Sequence, residues 1–312
     1  MSAAAAPLSP HDARRLIAAG LEGDIQKLSR LNAGKRWFEI LFFVALWGAG
    51  AAMTLASGTL PEALARRVVW CAGIGVSAVA LNAFVLLLHE GMHGLLFLNR
   101  HANRWISAGL GACVLIGYSA YKVMHLRHHR YLGDARDPDD YDNYFRSPRM
   151  VWGMHFVRLT VGSYLYILMI PALACRHGRR RERGRVAVEY VLLAGLWGAA
   201  FFLVPLHLLA QVWLLPLVLV AAMTGIRGFT QHGIADAHDP FLASRSIHPP
   251  RWMAFLLLHE NLHLEHHLFP EVPSYHLGQV HKLIAGRLPR ALVGRSYLGF
   301  IGRFLVLTFS RG

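Results

Sequence analysis

The sequence predicts an all-α integral membrane protein. It calls for about four transmembrane helices in two hairpins, interfacial or re-entrant helices, and a cytosolic helical cap carrying clustered histidines. Three observations carry this. Hydrophobic residues make up 54% of the 312 and charged residues 16%, whereas a soluble domain holds roughly 25% charged residues. Apolar stretches fall near 38–58, 68–88, 104–120, 152–174, 187–206 and 208–226, and a span needs about 20 apolar residues. Eight histidines gather beside those stretches in three groups: His89 and His93; His125, His128 and His129; His263, His266 and His267.

Residues 1–36 mix acids and bases (Asp12, Arg14, Arg15, Glu22, Asp24, Lys27) and hold no apolar core of signal-peptide length. They read as a cytosolic leader, within which 11–31 has the pattern of an amphipathic helix; Ala3 to Ala6 is a short low-complexity run. The main membrane domain is expected over 37–290. Stretches 38–58 and 68–88 form a hairpin that returns the chain to its starting side, where His89 and His93 sit. Stretch 104–120 is short and carries Gly109, Gly111 and Gly117. It lies between two histidine groups that must meet, so it dips into the bilayer and returns. Stretch 152–174 is long enough to cross, but six arginines follow between Arg176 and Arg185. Translocating them would break the positive-inside rule, and His155 and Arg158 are costly at bilayer depth. It is therefore expected to lie along the interface or re-enter. Stretches 187–206 and 208–226 make the second hairpin, turning near Pro205, His207 and Gln211. Only Arg66 and Arg67 among the 32 lysines and arginines then face the far side. Segment 275–309 is basic and patchily apolar and suits one or two helices, on the membrane surface or docked against the cytosolic cap, with 291–312 as an amphipathic tail.

The formal charge of +14 would suggest nucleic acid for a soluble chain. Here the basic residues flank apolar spans, where they read as topology signals and contacts to anionic lipid, and no nucleic-acid motif accompanies them. Cys71, Cys113 and Cys175 show no CxxC spacing, which gives no support for a disulfide framework or a zinc ribbon.

The histidine groups read HxxxH, HxxHH and HxxHH. Imidazole is the commonest protein ligand for transition metals. Histidines at i and i+3 or i+4 share one helix face, and the i+1 neighbour points elsewhere. Each HxxHH group can therefore serve two metals. Eight nitrogens exceed one four-coordinate zinc. They suit two ions of higher coordination, and a thiolate-free, imidazole-rich site with room for oxygen points to iron.

The flanking residues extend the pattern. After the second group comes His129-Arg130-Tyr131-Leu132-Gly133-Asp134, then Asp137-Pro138-Asp139-Asp140. Around the third the chain reads Asn261-Leu262-His263-Leu264-Glu265-His266-His267-Leu268-Phe269-Pro270, then Val272-Pro273-Ser274-Tyr275-His276. This resembles the membrane fatty acid desaturase and hydroxylase superfamily from about residue 38 to 290, and looks most like its acyl-lipid desaturases. The resemblance implies two iron ions, O2 as co-substrate and insertion of a double bond into a fatty acyl chain. It implies His232, in Thr230-Gln231-His232-Gly233, as a ninth ligand. Some relatives carry an asparagine one turn earlier that holds iron through water; here that position is Gly228. Asn261 either replaces it or caps the helix of the third group, and His259 is placed to support the site. Ligating histidines commonly donate their second N–H to a carboxylate. Asp134, Asp137, Asp139, Asp140, Glu90 and Glu265 are placed for that. His276 and His281 read as surface or cap residues, and His155 and His248 as solvated or interfacial.

The substrate is expected to be a fatty acyl lipid, acyl-CoA or other carrier-bound chain. No His-Pro-Gly-Gly haem motif and no nucleotide fingerprint occur. Electrons are therefore expected from a separate ferredoxin or cytochrome b5 type donor, docking on Arg127, Arg130, Arg146, Arg149 and Arg251. The protein should sit in the lipid bilayer, the inner membrane if bacterial, with the histidine groups and both termini cytosolic and no nucleic acid as partner. Hydroxylases and ketolases of the superfamily, acting on lipid or carotenoid, share the same groups. His89-Glu90-Gly91-Met92-His93 also fits the HExxH of an intramembrane zinc protease, with Glu90 as general base. That reading leaves both HxxHH groups unexplained. A metal carrier would string its histidines along a transmembrane path instead.

Overall fold

The computed structural model describes residues 9–140, 143, 145, 147–236 and 238–309, with only the backbone of the last. Arg146 and the Ala3–Ala6 run lie outside the described residues. The protein is an all-α integral membrane fold. In chain order its helices are α1 (Pro10–Ala18), α2 (Glu22–Leu28), α3 (Ala33–Ala56), α4 (Ala63–His93), α5 (Arg100–Cys113), α6 (Tyr118–Tyr131), α7 (Pro148–Thr160), α8 (Gly162–His177), α9 (Arg180–Leu203), α10 (Leu206–Leu209) and α11 (Leu215–His232). A π-helical turn, Ala210–Leu214, joins α10 to α11. Strand β1 (Arg245–Ile247), α12 (Arg251–Leu256), α13 (His263–Leu268), α14 (Leu277–Ile284), strand β2 (Leu292–Gly294) and α15 (Tyr297–Phe309) complete the chain. The two strands pair in parallel. They are a short clip that the all-α expectation did not foresee.

Four helical segments are long and apolar enough to cross a membrane: Ala33–Thr59, Ala63–His93, Arg180–Leu203 and Leu206–His232. Two stretches that the sequence marks as non-crossing are broken helices. Arg100–Cys113 and Tyr118–Tyr131 meet at 102°, and the chain also breaks between Pro148–Thr160 and Gly162–His177. If each broken pair were one span, the count would rise to six.

The chain divides into two compact units. The first takes in the described residues of Met1–Leu31, Leu126–Leu159 and Gly225–Gly312; the second is Asn32–His125 and Thr160–Thr224. Helices α6 and α11 contribute to both.

In the second unit α3 and α4 pack closely through glycine. A side chain at Gly50 would collide with Ser77, and one at Gly73 with Thr54. Helix α4 has 31 residues, a rise of about 46 Å against a hydrocarbon core of about 30 Å, which is more than long enough to cross. It stops at Gly94, whose φ of 81° forms the left-handed cap one residue after His93. Indole N–H groups tie the bundle together: Trp47 donates to the Val212 carbonyl in the π turn at 3.0 Å, and Trp213 to the Cys113 carbonyl at 2.7 Å.

In the first unit, Ala13, Ile17 and Ile25 of α1 and α2 pack with Leu264, Leu268, Phe269, Val272, Leu277, Val280 and Ile284. Ser9 caps α1 by accepting from Asp12 N, with Pro10 opening the helix. The N-terminal segment is thus more ordered than its mixed composition suggests. Its apolar stripe is buried against the segment carrying the third histidine group. Helix α15 docks too: Phe304 is buried against Phe229, Trp152 and His155. His155, expected at the interface, is a buried member of this aromatic cluster.

Candidate metal centre

In the second unit, α4 presents His89 and His93 one turn apart, and α6 brings His125 against them. Their ligand-capable nitrogens lie within 4.8 Å of one another, and His93 Nε2 is 2.8 Å from His125 Nε2. Between them in sequence, Glu90 has a carboxylate oxygen within 4.8 Å of a His89 nitrogen. It is fully buried and paired with Arg36, whose guanidinium also meets Glu39 at 2.7 Å and the Leu95 carbonyl at 3.0 Å. A carboxylate held by a buried arginine is a poor general base, which removes the HExxH protease reading.

The first unit holds the other six histidines, and the HxxHH groups divide there as helix geometry requires. His128 joins His232 and His267, with nitrogens within 4.8 Å. His263 Nε2 lies 2.9 Å from His232 Nε2 and 3.2 Å from His267 Nε2. The neighbour in each group turns away: His129 and His266 face each other at 3.1 Å between Nε2 atoms. Imidazole nitrogens at such distances are within hydrogen-bond reach, the donor being set by the tautomer, and converge closely enough to share an ion.

Polar groups behind the rings fix their orientation. Asp137, 2% exposed, straddles His128 Nδ1 with both oxygens at 3.0 Å and accepts the Asp139 amide. His232 Nδ1 meets the Ala243 carbonyl at 3.2 Å. Glu260 lies 3.6 Å from His263 Nδ1. Each arrangement leaves Nε2 for a metal. Burial first, then the nearby imidazoles of His129, His263, His232 and His128, hold His267 well below the ordinary imidazole value. The ring is therefore neutral and its lone pair available.

Other expected site residues are placed differently. Asp134 pairs with Arg136 at the surface at 2.8 Å, which pulls its carboxyl down to about 2. Glu265 is buried and accepts from His281 at 2.6 Å and from Ser246 at 2.5 Å. Burial alone would raise this carboxyl, but those donors outweigh it and hold it below the usual range; the same bond raises His281. His281, read from the sequence as a surface or cap residue, thus anchors α14 to the third histidine group. Asn261 does not cap α13, which begins after Leu262 without a side-chain cap bond. Its Nδ2 donates to the Ile247 carbonyl at 2.9 Å, and its buried Oδ1 has no hydrogen-bond partner among the described residues. His259 sits in the turn after α12 with φ of 61° and is not among the converging imidazoles. At Gly228 the space for a side chain is bordered by Arg158, whose Nη2 would lie 3.7 Å from a Cβ there.

Glu260, Ser246, His281 and the Ala243 carbonyl escaped the sequence reading. Only His281 left a trace, through its position on the strongly amphipathic α14. The donor set suits transition-metal ions: converging imidazoles free of thiolates, with rings oriented by carboxylate or carbonyl.

Residues 64–299 match the family model for fatty acid desaturase. The chain belongs to that family. Among its curated relatives is the sphingolipid delta(4)-desaturase/C4-monooxygenase DES2. The Homo sapiens protein is 27% identical over 220 residues, 65% of this chain and 61% of the human protein. The Bos taurus protein is 25% identical over 294 residues, 88% of this chain and 81% of the bovine one. The sn-1 oleoyl-lipid 12-desaturase of Arthrospira platensis is 23% identical over 278 residues, 78% of this chain and 74% of its own length. The desaturase-family match stretches across α4 to α15 and so includes all nine histidines.

Proposed function

We propose that this protein is an O2-dependent desaturase of membrane lipid acyl chains and that its nine clustered histidines hold two iron ions. The observation that carries the reading is the convergence of imidazole nitrogens in both units of a desaturase-family chain. Iron so held would supply the oxidising power to remove two hydrogens from unactivated CH2 groups, which no side chain can abstract as protons. The protein's own residues do the rest. His89, His93, His125, His128, His129, His232, His263, His266 and His267 bind the ions. Asp137, Glu260 and the Ala243 carbonyl orient rings. The buried setting of His263 and His266 would keep bulk water from the ions they hold.

The acyl chain enters from the bilayer, with the histidines and both termini on the cytosolic side. Electrons come from a separate ferredoxin or cytochrome b5 type partner, which docks on the basic face that includes Arg127, Arg130, Arg149 and Arg251. Hydroxylation is the second reading. The DES2 relatives of Homo sapiens and Bos taurus carry both desaturase and C4-monooxygenase in their names. The two outcomes differ only in whether a second hydrogen leaves before oxygen is added to the carbon.

Mass spectrometry of lipids from an expressing host, with metal analysis of the purified protein, tests the proposal. Two irons per chain and products lighter by two hydrogens are expected. One tightly bound zinc, with full activity after iron chelation, would overturn it.

A further inference from the structure

Arg245 stands out because it is a nearly buried cation, 9% exposed, with no carboxylate at ion-pair distance among the described residues. Burying a guanidinium without a counter-charge is costly, and burial lowers its pKa to about 10. Its partners are carbonyls. Nη1 donates to Thr230 O at 2.6 Å and Gly233 O at 3.2 Å, at the C-terminal end of α11. That is the negative end of the helix dipole, where a cation is favoured. The ring of Phe300 in α15 covers the guanidinium at 4.3 Å. Between the helix end and the strand, Ile234 holds φ of 52°, a region that a β-branched residue avoids unless its surroundings impose it.

His232 is the last residue of α11. Its Nδ1 faces the carbonyl of Ala243, two residues before Arg245, and its Nε2 faces His263 at 2.9 Å. Thr230 and Gly233 flank His232 closely in sequence, so the arginine grips the backbone on both sides of the histidine. The same residue opens strand β1, two residues after the one that supplies the carbonyl.

We propose that Arg245 is the positioning residue of His232. By clamping the last carbonyls of α11 to strand β1, it holds the Ala243 carbonyl against His232 Nδ1–H. It thereby fixes the ring with Nε2 presented to the metal-binding cluster. The role of α15 follows: Phe300 shields the clamp from water. This inference rests on the reading of His232 as a metal ligand.

The test is a double-mutant cycle in Fe(II) affinity, measured anaerobically on metal-free full-length protein in detergent micelles. Arg245→Ala should weaken binding roughly 10- to 100-fold, the usual cost of losing an outer partner of a ligand. Arg245→Lys, which keeps the charge but not the two-carbonyl fork, should fall between. In a His232→Ala background, Arg245→Ala should change affinity by no more than about twofold. An equal loss in that background, or no loss in the wild-type one, overturns the proposal. If Arg245→Ala does not accumulate, Arg245→Lys runs the cycle. A metal-independent arm uses 15N-histidine NMR of the metal-free protein. His232 should carry its proton on Nδ1 and become a tautomer mixture in Arg245→Lys. A wild-type Nε2–H tautomer overturns the proposal. Failure of wild type to bind Fe(II) counts instead against the diiron reading, and the NMR arm still decides the clamp.

Discussion

Replacing Asp137 tests whether a carboxylate behind the proposed metal ligands does what its geometry suggests. Both Asp137 oxygens lie 3.0 Å from His128 Nδ1, and the two side chains are 2% and 7% exposed. A hydrogen bond to a charged group contributes about 1.5–3 kcal/mol when buried. Loss of an outer partner of a metal-bound histidine typically costs about 10- to 100-fold in affinity, which is about 1.4–2.8 kcal/mol at 1.4 kcal/mol per tenfold. The two estimates agree. Asp137→Asn keeps the shape and one oxygen acceptor but loses the charge, so Fe(II) affinity should fall to the lower end, about tenfold. Asp137→Ala should approach the upper end. Asp134→Asn is the control. Asp134 is closer still to the second histidine group in sequence but pairs with Arg136 at the surface, so affinity should not change. The assay is anaerobic Fe(II) titration of metal-free protein in micelles. Unchanged affinity in Asp137→Asn, or the same loss in Asp134→Asn, would refute the reasoning.

His128→Ala and His266→Ala should each lose iron and lipid oxidation together; retention of full iron by either removes that histidine from the ligand set. The Glu265–His281 pair predicts a pH window. His281 has a raised folded pKa, so its contribution is complete below its unfolded value of about 6.5 and fades as pH rises through the folded value. Glu265 has a depressed one, so its contribution holds above about 4.3 and fades as pH falls through the folded value. The melting-temperature gap between wild type and His281→Ala should therefore be widest between those values, and a gap independent of pH contradicts the pairing. For topology, a single cysteine at Gly178, in a chain lacking Cys71, Cys113 and Cys175, should be labelled only from the cytosolic side. Labelling of Gly178→Cys from outside makes 152–174 a true span. Turnover should require an added electron donor and slow as salt rises; full activity with NADH alone contradicts a separate donor.

The membrane class, the four long apolar helices and the three histidine groups were legible in the sequence because each depends on local periodicity. Apolar run length sets whether a helix can cross, and i, i+3 and i+4 spacing sets which imidazoles share a face. The division of each HxxHH group, His128 one way and His129 another, follows from the same 3.6-residue turn. The partners of the charged residues were not legible. Glu90, Glu265, Asp134 and Asp137 all sit near histidines in the sequence; Asp137 meets His128 of the cluster, whereas Asp134 pairs with Arg136. Glu90 pairs with Arg36, 54 residues away, and Glu265 with His281 and Ser246, 16 and 19 residues away. Arg245 gave no local sign of gripping the end of α11. A side chain's neighbours along the chain are fixed by covalent spacing. Its neighbours in space depend on how helices and strands pack, and buried charge, which must find a partner somewhere, takes whichever one that packing brings within reach.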